Sequence, residues 1–299
     1  PMLAPGESPI MKLTPVHPRF GVEVEGVDLR QVTAHAGYPE IRAAFEEHSL
    51  LLFRGQDLDD EAHLAFGALF GPIEDRSRGA NGPKPVMSPV SNRRDDATIA
   101  SENDPHVLHL KANQLWHTDS TFLPAPALAN ILAARVLPSG GGESEFVSTR
   151  VAWADMPEKL KAKARNAVFR HRYAHSRAKI SAELAAQELF TMWTDQCWRA
   201  LWRNPVHGRE ALYIASHVCA VEGMDGPDGA ALVDELVAFA TQDAYVYAHH
   251  WLPGDVLVWD ERATMHRGRP WPYDEERTLT SICITAGGGD GLDPVRPRA

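Results

Sequence analysis

The sequence predicts an α+β protein with a mainly β core, a β-sandwich or jelly roll carrying helices at one side. Three observations carry that expectation. Strand-like runs crowd the last third of the chain ("AYVYAHHWL", "GDVLVWD", "RTLTSICIT"), and helical runs lie mostly before them. No strand leads into GxGxxG or GxxxxGK[ST], so a nucleotide-binding fold has no positive signal, and the glycines of "PSGGGESEF" match neither spacing. With 299 residues, 44% of them hydrophobic and 23% charged, a sizeable core is expected, whereas length alone does not choose between one large domain and two ordinary ones.

In chain order, "FGVEVEGVDL" (20–29) alternates apolar and polar residues as a strand does. Residues 38–48 have helical apolar spacing, and "SLLLFRG" reads as a short buried strand closed by Gly55. "LDDEAHLAFGALFG" has an acidic first turn and a glycine stop, which are helix signals. The segment 72–111, dense in Pro, Gly, Asn and Asp, reads as a long loop and a candidate active-site lid. "NQLWHTDSTF" (113–122) reads as a strand, and "ALANILAARVLPSGGGESEFVS" as two apolar segments around a glycine turn. "VAWADMPEKLKAKARNA" and "ISAELAAQELFTMW" are predicted helices, the second positioned to cover the site. "EALYIAS" is strand-like, and "DGAALVDELVAFATQ" an amphipathic helix.

The formal net charge of −10 argues against general nucleic-acid or membrane-surface binding, since phosphates would be repelled. Cys197, Cys219 and Cys283 are odd in number and never in CxxC spacing, which disfavours a disulfide framework or a thiolate zinc site. No stretch reaches the roughly 18 apolar residues of a membrane span, and prolines interrupt "PMLAPGESPIMKLTPVHP" where a signal peptide needs an apolar run. A cytoplasmic protein with small-molecule rather than nucleic-acid or membrane partners, self-associating into a homo-oligomer, is expected.

On an extended segment His117 and Asp119, two residues apart, project to the same side. They could form an ion pair, a catalytic dyad or two metal ligands. A distant companion, "GDVLVWDERATMHRGRPWPYDEERTLTSICIT", supplies His266, expected just beyond a strand, and Arg277, opening the final strand. Two histidines and a carboxylate on one side of an iron atom make the facial triad of non-haem Fe(II) oxygenases. "RTLTSICIT" would put Arg277, Leu279, Ser281 and Cys283 on one face, and an inward arginine needs an anionic partner.

Taken together, "HPRFGVEVEGVDLR", "LLLFRGQDL", "NQLWHTDSTF", "LPSGGGESEF" and "WDERATMHRGR" resemble the taurine/2,4-dichlorophenoxyacetate dioxygenases, the TauD/TfdA family, and within it the aryloxyalkanoate branch. The resemblance implies a double-stranded β-helix core and the cofactors Fe(II), 2-oxoglutarate as co-substrate, and O2. It implies hydroxylation of an unactivated C–H bond of a small, anionic substrate, with succinate and CO2 as co-products. His117, Asp119 and His266 would bind iron. Arg277 would clamp the distal carboxylate of 2-oxoglutarate, helped by the hydroxyl of Ser144 where the family usually has threonine. Trp251 and Trp259 match tryptophans near the co-substrate, and Asn113 an asparagine near the substrate.

Two positions depart from the family pattern. Glu261 replaces the asparagine of a common "WDNR". Ser281 stands where a second arginine usually grips the substrate anion, so either the substrate is anchored differently, with Arg76, Arg78, Lys84 and Lys111 as loop candidates, or it is not a simple sulfonate or aryloxyacetate. His217 is a further candidate for the substrate pocket. His249 and His250, adjacent, would face opposite ways and read as structural. His106 and His109 read as solvated loop residues, and Trp193, Trp198 and Trp202 as packing residues. The alternatives are the same family acting on an amino-acid-derived or other natural-product substrate, a metal-dependent hydrolase, a non-catalytic binding module, or a halogenase. The last usually lacks the carboxylate ligand, and Asp119 is present.

Overall fold

The computed structural model describes residues 11–75 and 87–298. Arg76, Arg78 and Lys84 lie outside the described residues.

Along the chain come strands β1 (Lys12–Pro15) and β2 (Val22–Glu25), helix α1 (Tyr38–His48), β3 (Leu50–Phe53), α2 (Asp60–Phe70), β4 (Ser88–Ser91) and α3 (Pro105–Lys111). Then follow β5 (Ala127–Val136), β6 (Ser144–Ser148), α4 (Thr149–Asp155), α5 (Glu158–Ala164), β7 (Val168–His171), α6 (Tyr173–Ala178), α7 (Ala182–Ala185) and α8 (Glu188–Thr191). The rest comprises β8 (Gln196–Arg199), β9 (Leu201–Arg203), β10 (Glu210–Leu212), β11 (Val218–Val221), α9 (Gly226–Ala240), β12 (Val246–His249), β13 (Val256–Asp260), β14 (Thr264–Gly268) and β15 (Thr278–Thr285).

Among the described residues, seven strands form the main sheet in the order β1-β2-β3-β13-β5-β15-β4, antiparallel except for β2 beside β3. A second sheet, β12-β6-β14, is antiparallel throughout. From β12 to β15 consecutive strands alternate between the two sheets, as β5 and β6 also do. The segment read as two apolar segments around a glycine turn forms β5 and β6 and crosses from one sheet to the other.

The period-two alternation of strands explains how both faces of the main sheet are buried. On β3, Leu51 and Phe53 point to the helix side, and Leu50 and Leu52 to the second sheet. On β13, Val256 and Val258 face the helices, and Leu257 and Trp259 face Phe146 of β6. Helices α1 and α2 cover the helix side with Ile41, Ala44, Phe45, Phe66 and Phe70. Asp59 caps α2 by accepting the Ala62 N–H at 2.8 Å, and the helix stops at Gly71, as its sequence signals predict.

Several elements differ from expectation. The 72–111 segment contains β4, paired with β15, and α3, started by Asp104 and Pro105. The predicted helix over "VAWADMPEKL…" breaks at Met156–Pro157 because proline cannot donate to the preceding turn. "ISAELAAQELFTMW" forms two single turns, α7 and α8. His117 lies on a single bridge outside any strand, and His266 lies inside β14, not beyond a strand. No helix among the described residues is long and apolar enough to cross a membrane.

Candidate metal centre

One edge of β14 pairs with β6; the other meets His117. The His117 N–H donates to the His266 carbonyl at 3.0 Å, and the His266 N–H to the His117 carbonyl at 2.8 Å. That reciprocal pair brings two residues far apart in sequence side by side, with ring centroids 4.1 Å apart. Thr118 locks the segment by donating to the carbonyls of Thr264 (2.9 Å) and Ile214 (3.1 Å). The chain then turns at Ser120, whose φ of +58° is left-handed and whose hydroxyl bonds Glu74 at 2.5 Å. Thr121 is held next, its carbonyl by the Trp198 indole N–H at 2.7 Å and its hydroxyl by His171 at 2.9 Å.

This scaffold aims three ligand atoms at one point. His117 Nε2 lies 3.6 Å from Asp119 Oδ1, His266 Nε2 lies 3.7 Å from Asp119 Oδ2, and all three ligand atoms fall within 4.8 Å of one another. These separations exceed hydrogen-bond length and suit donors sharing one ion about 2 Å from each. His117 Nδ1 faces the Leu115 carbonyl at 2.7 Å, which fixes the tautomer that leaves Nε2 as a lone-pair donor. Among the described residues His266 Nδ1 has no hydrogen-bond partner; its ring is held by packing against Trp259 (4.7 Å) and Phe146 (5.9 Å). Burial pushes His266 down to about 3 and also lowers His117, so both imidazoles are neutral, as metal ligation requires. The donor set therefore fits a divalent iron.

Asp119 is held by residues of the neighbouring strands. Asn130 Nδ2 donates to Asp119 Oδ2 at 2.6 Å, and Asn130 Oδ1 accepts from the Ser281 hydroxyl at 2.9 Å. Glu261, fully buried, accepts the Asp119 backbone N–H at 3.0 Å and the Trp259 indole N–H at 2.6 Å. Burial, then the Asp119 charge, pushes the Glu261 carboxyl well above the ordinary carboxylate range. Asn130 was missed in the sequence, although one asparagine in the apolar run "ALANILAARV" is a signal that something polar lies opposite it.

The trio opens into a cavity of about 620 Å³, within the usual range for small-molecule sites. Arg277, Ser144, Trp259, Asn113, Ser281 and His217 all line it. Arg277 is 4% exposed, donates through Nε and Nη2 to the Gly142 carbonyl (3.1 and 2.8 Å), and lies over Trp271. Burial pulls it down to about 10, the mark of a cation lacking a close anion. Trp251 is outside the cavity lining but donates its indole N–H to Ser144 Oγ at 3.1 Å. Lys111 is committed to Glu102 at 2.9 Å. Three residues taken as solvated or packing, His106, His109 and Trp193, line the cavity, whereas Trp198 and Trp202 are core. His249 is buried against Asp255 at 2.9 Å and His250 is exposed, the opposed orientation expected of neighbours on a strand.

Fold and site together define a candidate mononuclear metal enzyme, with two histidines and an aspartate placed to hold the ion. Residues 12–283 match the family model "Taurine catabolism dioxygenase TauD, TfdA family". The chain is 32% identical to an (S)-phenoxypropionate/alpha-ketoglutarate-dioxygenase of Sphingobium herbicidovorans, over 91% of this chain and 94% of that protein. It is also 32% identical to an alpha-ketoglutarate-dependent 2,4-dichlorophenoxyacetate dioxygenase of Cupriavidus pinatubonensis, over 89% and 94%. Among solved structures, AAD-2 in complex with Mn(II) and N-oxalylglycine superposes with a TM-score of 0.85 at 31% identity, over 92% of this chain and 97% of that one. The chain belongs to the TauD/TfdA family and matches relatives of its aryloxyalkanoate branch; it is a non-haem iron dioxygenase that uses Fe(II), 2-oxoglutarate and O2.

Proposed function

We propose that this enzyme hydroxylates an unactivated C–H bond of a small, anionic organic substrate, releasing succinate and CO2. The observation that carries the reading is the convergence of His117, Asp119 and His266 on one point of a cavity also lined by Arg277. In this reading those three residues hold iron, and Arg277 with Ser144 takes the distal carboxylate of 2-oxoglutarate. Bound iron supplies, with 2-oxoglutarate and O2, the oxidising power for the C–H bond; the protein supplies orientation and a dry site. The Gly142 carbonyl aims the guanidinium fork, while Trp251 holds the Ser144 hydroxyl in place. The alternation of β12–β15 between two facing sheets supports a double-stranded β-helix over a single domain in residues 1–299. Glu74, Asp75, Met87 and Val90 line the cavity from the described residues of the 72–111 segment, our candidate for the lid, of which residues 76–86 lie outside the described residues. We place the enzyme in the cytoplasm, as a homo-oligomer.

The test is substrate-coupled succinate release. It should require both Fe(II) and 2-oxoglutarate, and Asp119→Ala should abolish it while reducing Mn(II) binding by calorimetry. Full activity in Asp119→Ala would overturn the ligand assignment.

A further inference from the structure

The arginine expected four residues after Arg277 is absent, and the Ser281 hydroxyl in its place is given to Asn130. The cavity wall contributed by α6 holds another guanidinium. Arg177 is only 5% exposed and lines the same cavity. Its Nη1 donates to Ser176 Oγ at 2.9 Å and its Nη2 to Tyr173 Oη at 3.4 Å, while its Nε is buried with no acceptor among the described residues. The guanidinium lies 4.4 Å from the Tyr173 ring centroid and 5.3 Å from that of Phe190. Among the described residues no carboxylate comes within ion-pair distance of it. Other arginines of the cavity are committed: Arg267 bonds Glu145 at 2.6 Å, Arg269 lies 3.7 Å from the same carboxylate, and Arg277 is assigned to 2-oxoglutarate.

A buried guanidinium with rings on one side and an unused N–H is costly unless an anion joins it. The co-substrate brings only one distal carboxylate for two such arginines, so the second anion must come from elsewhere. Beside Arg177, Phe122 stacks on Tyr173 with centroids 3.7 Å apart and planes 4° apart, with Trp193 and His217 close to Phe122. That wall suits a flat apolar body.

We propose that Arg177 anchors the anionic group of the primary substrate, a carboxylate carrying an aryl or other flat apolar group packed along Phe122 and Trp193. This rests on the oxygenase reading above. It assigns to a helix on the far side of the sequence from β15 the task that the missing arginine leaves open, and none of the loop cations is needed for it.

The experiment uses protein loaded with Mn(II) and 2-oxoglutarate, titrated calorimetrically with matched pairs: phenoxyacetate against 2-phenoxyethanol, and 3-phenylpropionate against 3-phenylpropanol. The native protein should prefer each carboxylate. Arg177→Gln should weaken the carboxylates by roughly thirtyfold or more and the alcohols by less than about threefold, as expected for removing one partner of a buried charge pair. Arg177→Lys should lie between, keeping charge without the fork, and it decides the matter alone if the glutamine variant melts early. Equal loss for acid and alcohol, no loss for either, or a native protein indifferent to the charge would overturn the proposal. So would an effect of Arg177→Gln on 2-oxoglutarate instead. Failure of the native protein to bind Mn(II) or 2-oxoglutarate would instead sink the oxygenase reading.

Discussion

Asp119 receives one bond from Asn130, gives its backbone N–H to Glu261 and lies 3.9 Å from the Cys283 thiol, so its carboxylate is oriented before any ion arrives. Preorganised ligands of this kind usually add one to two orders of magnitude to metal affinity. Asn130→Leu should therefore weaken Mn(II) binding by roughly tenfold to a hundredfold in calorimetry, and unchanged affinity would remove Asn130 from the site. Arg277→Gln should raise the dissociation constant for 2-oxoglutarate by roughly a hundredfold, about 3 kcal/mol, while leaving Mn(II) binding in place. His117, Asp119, His266 and Arg277 were picked out in the sequence through the motifs that carry the family resemblance, and the fold brings all four to one cavity. Arg177 was not picked out. In "YAHSRAK" it follows no pattern, and only the fold turns it towards the cavity.

At the level of elements, α1, β3, α2, β13 and β15 follow the sequence closely because their apolar periods and caps agree with where they pack. The strands β7, β8 and β11, unread in the sequence, are short and lie among helices, so no sustained alternation marks them. "PSGGGESEF" gains a reason from the structure. Gly142 has φ +73°, and a Cβ there would sit 2.7 Å from Arg277 Nε and 2.9 Å from its Cδ. Gly142→Ala should cost about 1–2 kcal/mol from the left-handed backbone alone, and should also raise the KM for 2-oxoglutarate. A variant with lowered Tm but native KM would separate the loop from the clamp. On α2, His63 is fully buried against the Ile131 carbonyl at 3.1 Å, and burial lowers it to about 4.

For the whole molecule, that histidine makes stability depend on pH. Between pH 6.5 and about 4 the unfolded chain binds a proton that the folded one refuses, so stability rises with pH across that window and falls as acid is added. The His63 share is about 3 kcal/mol when the window is crossed in full. His171, lowered by burial to about 3, acts in the same direction. Urea midpoints measured from pH 7 to pH 4.5 should fall steadily, and His63→Leu should flatten the slope whatever it does to the midpoint at pH 7. An unchanged slope would show that His63 is protonated without unfolding.

The reciprocal backbone pair between His117 and His266 has a temporal corollary. As the polypeptide leaves the ribosome, the first two proposed iron ligands emerge long before the third, and the edge that should hold them does not exist until residues 264–268 have been made. On the proposed ligand assignment metal capture should come late in maturation, and fragments ending ahead of β14 should retain no Mn(II) through gel filtration.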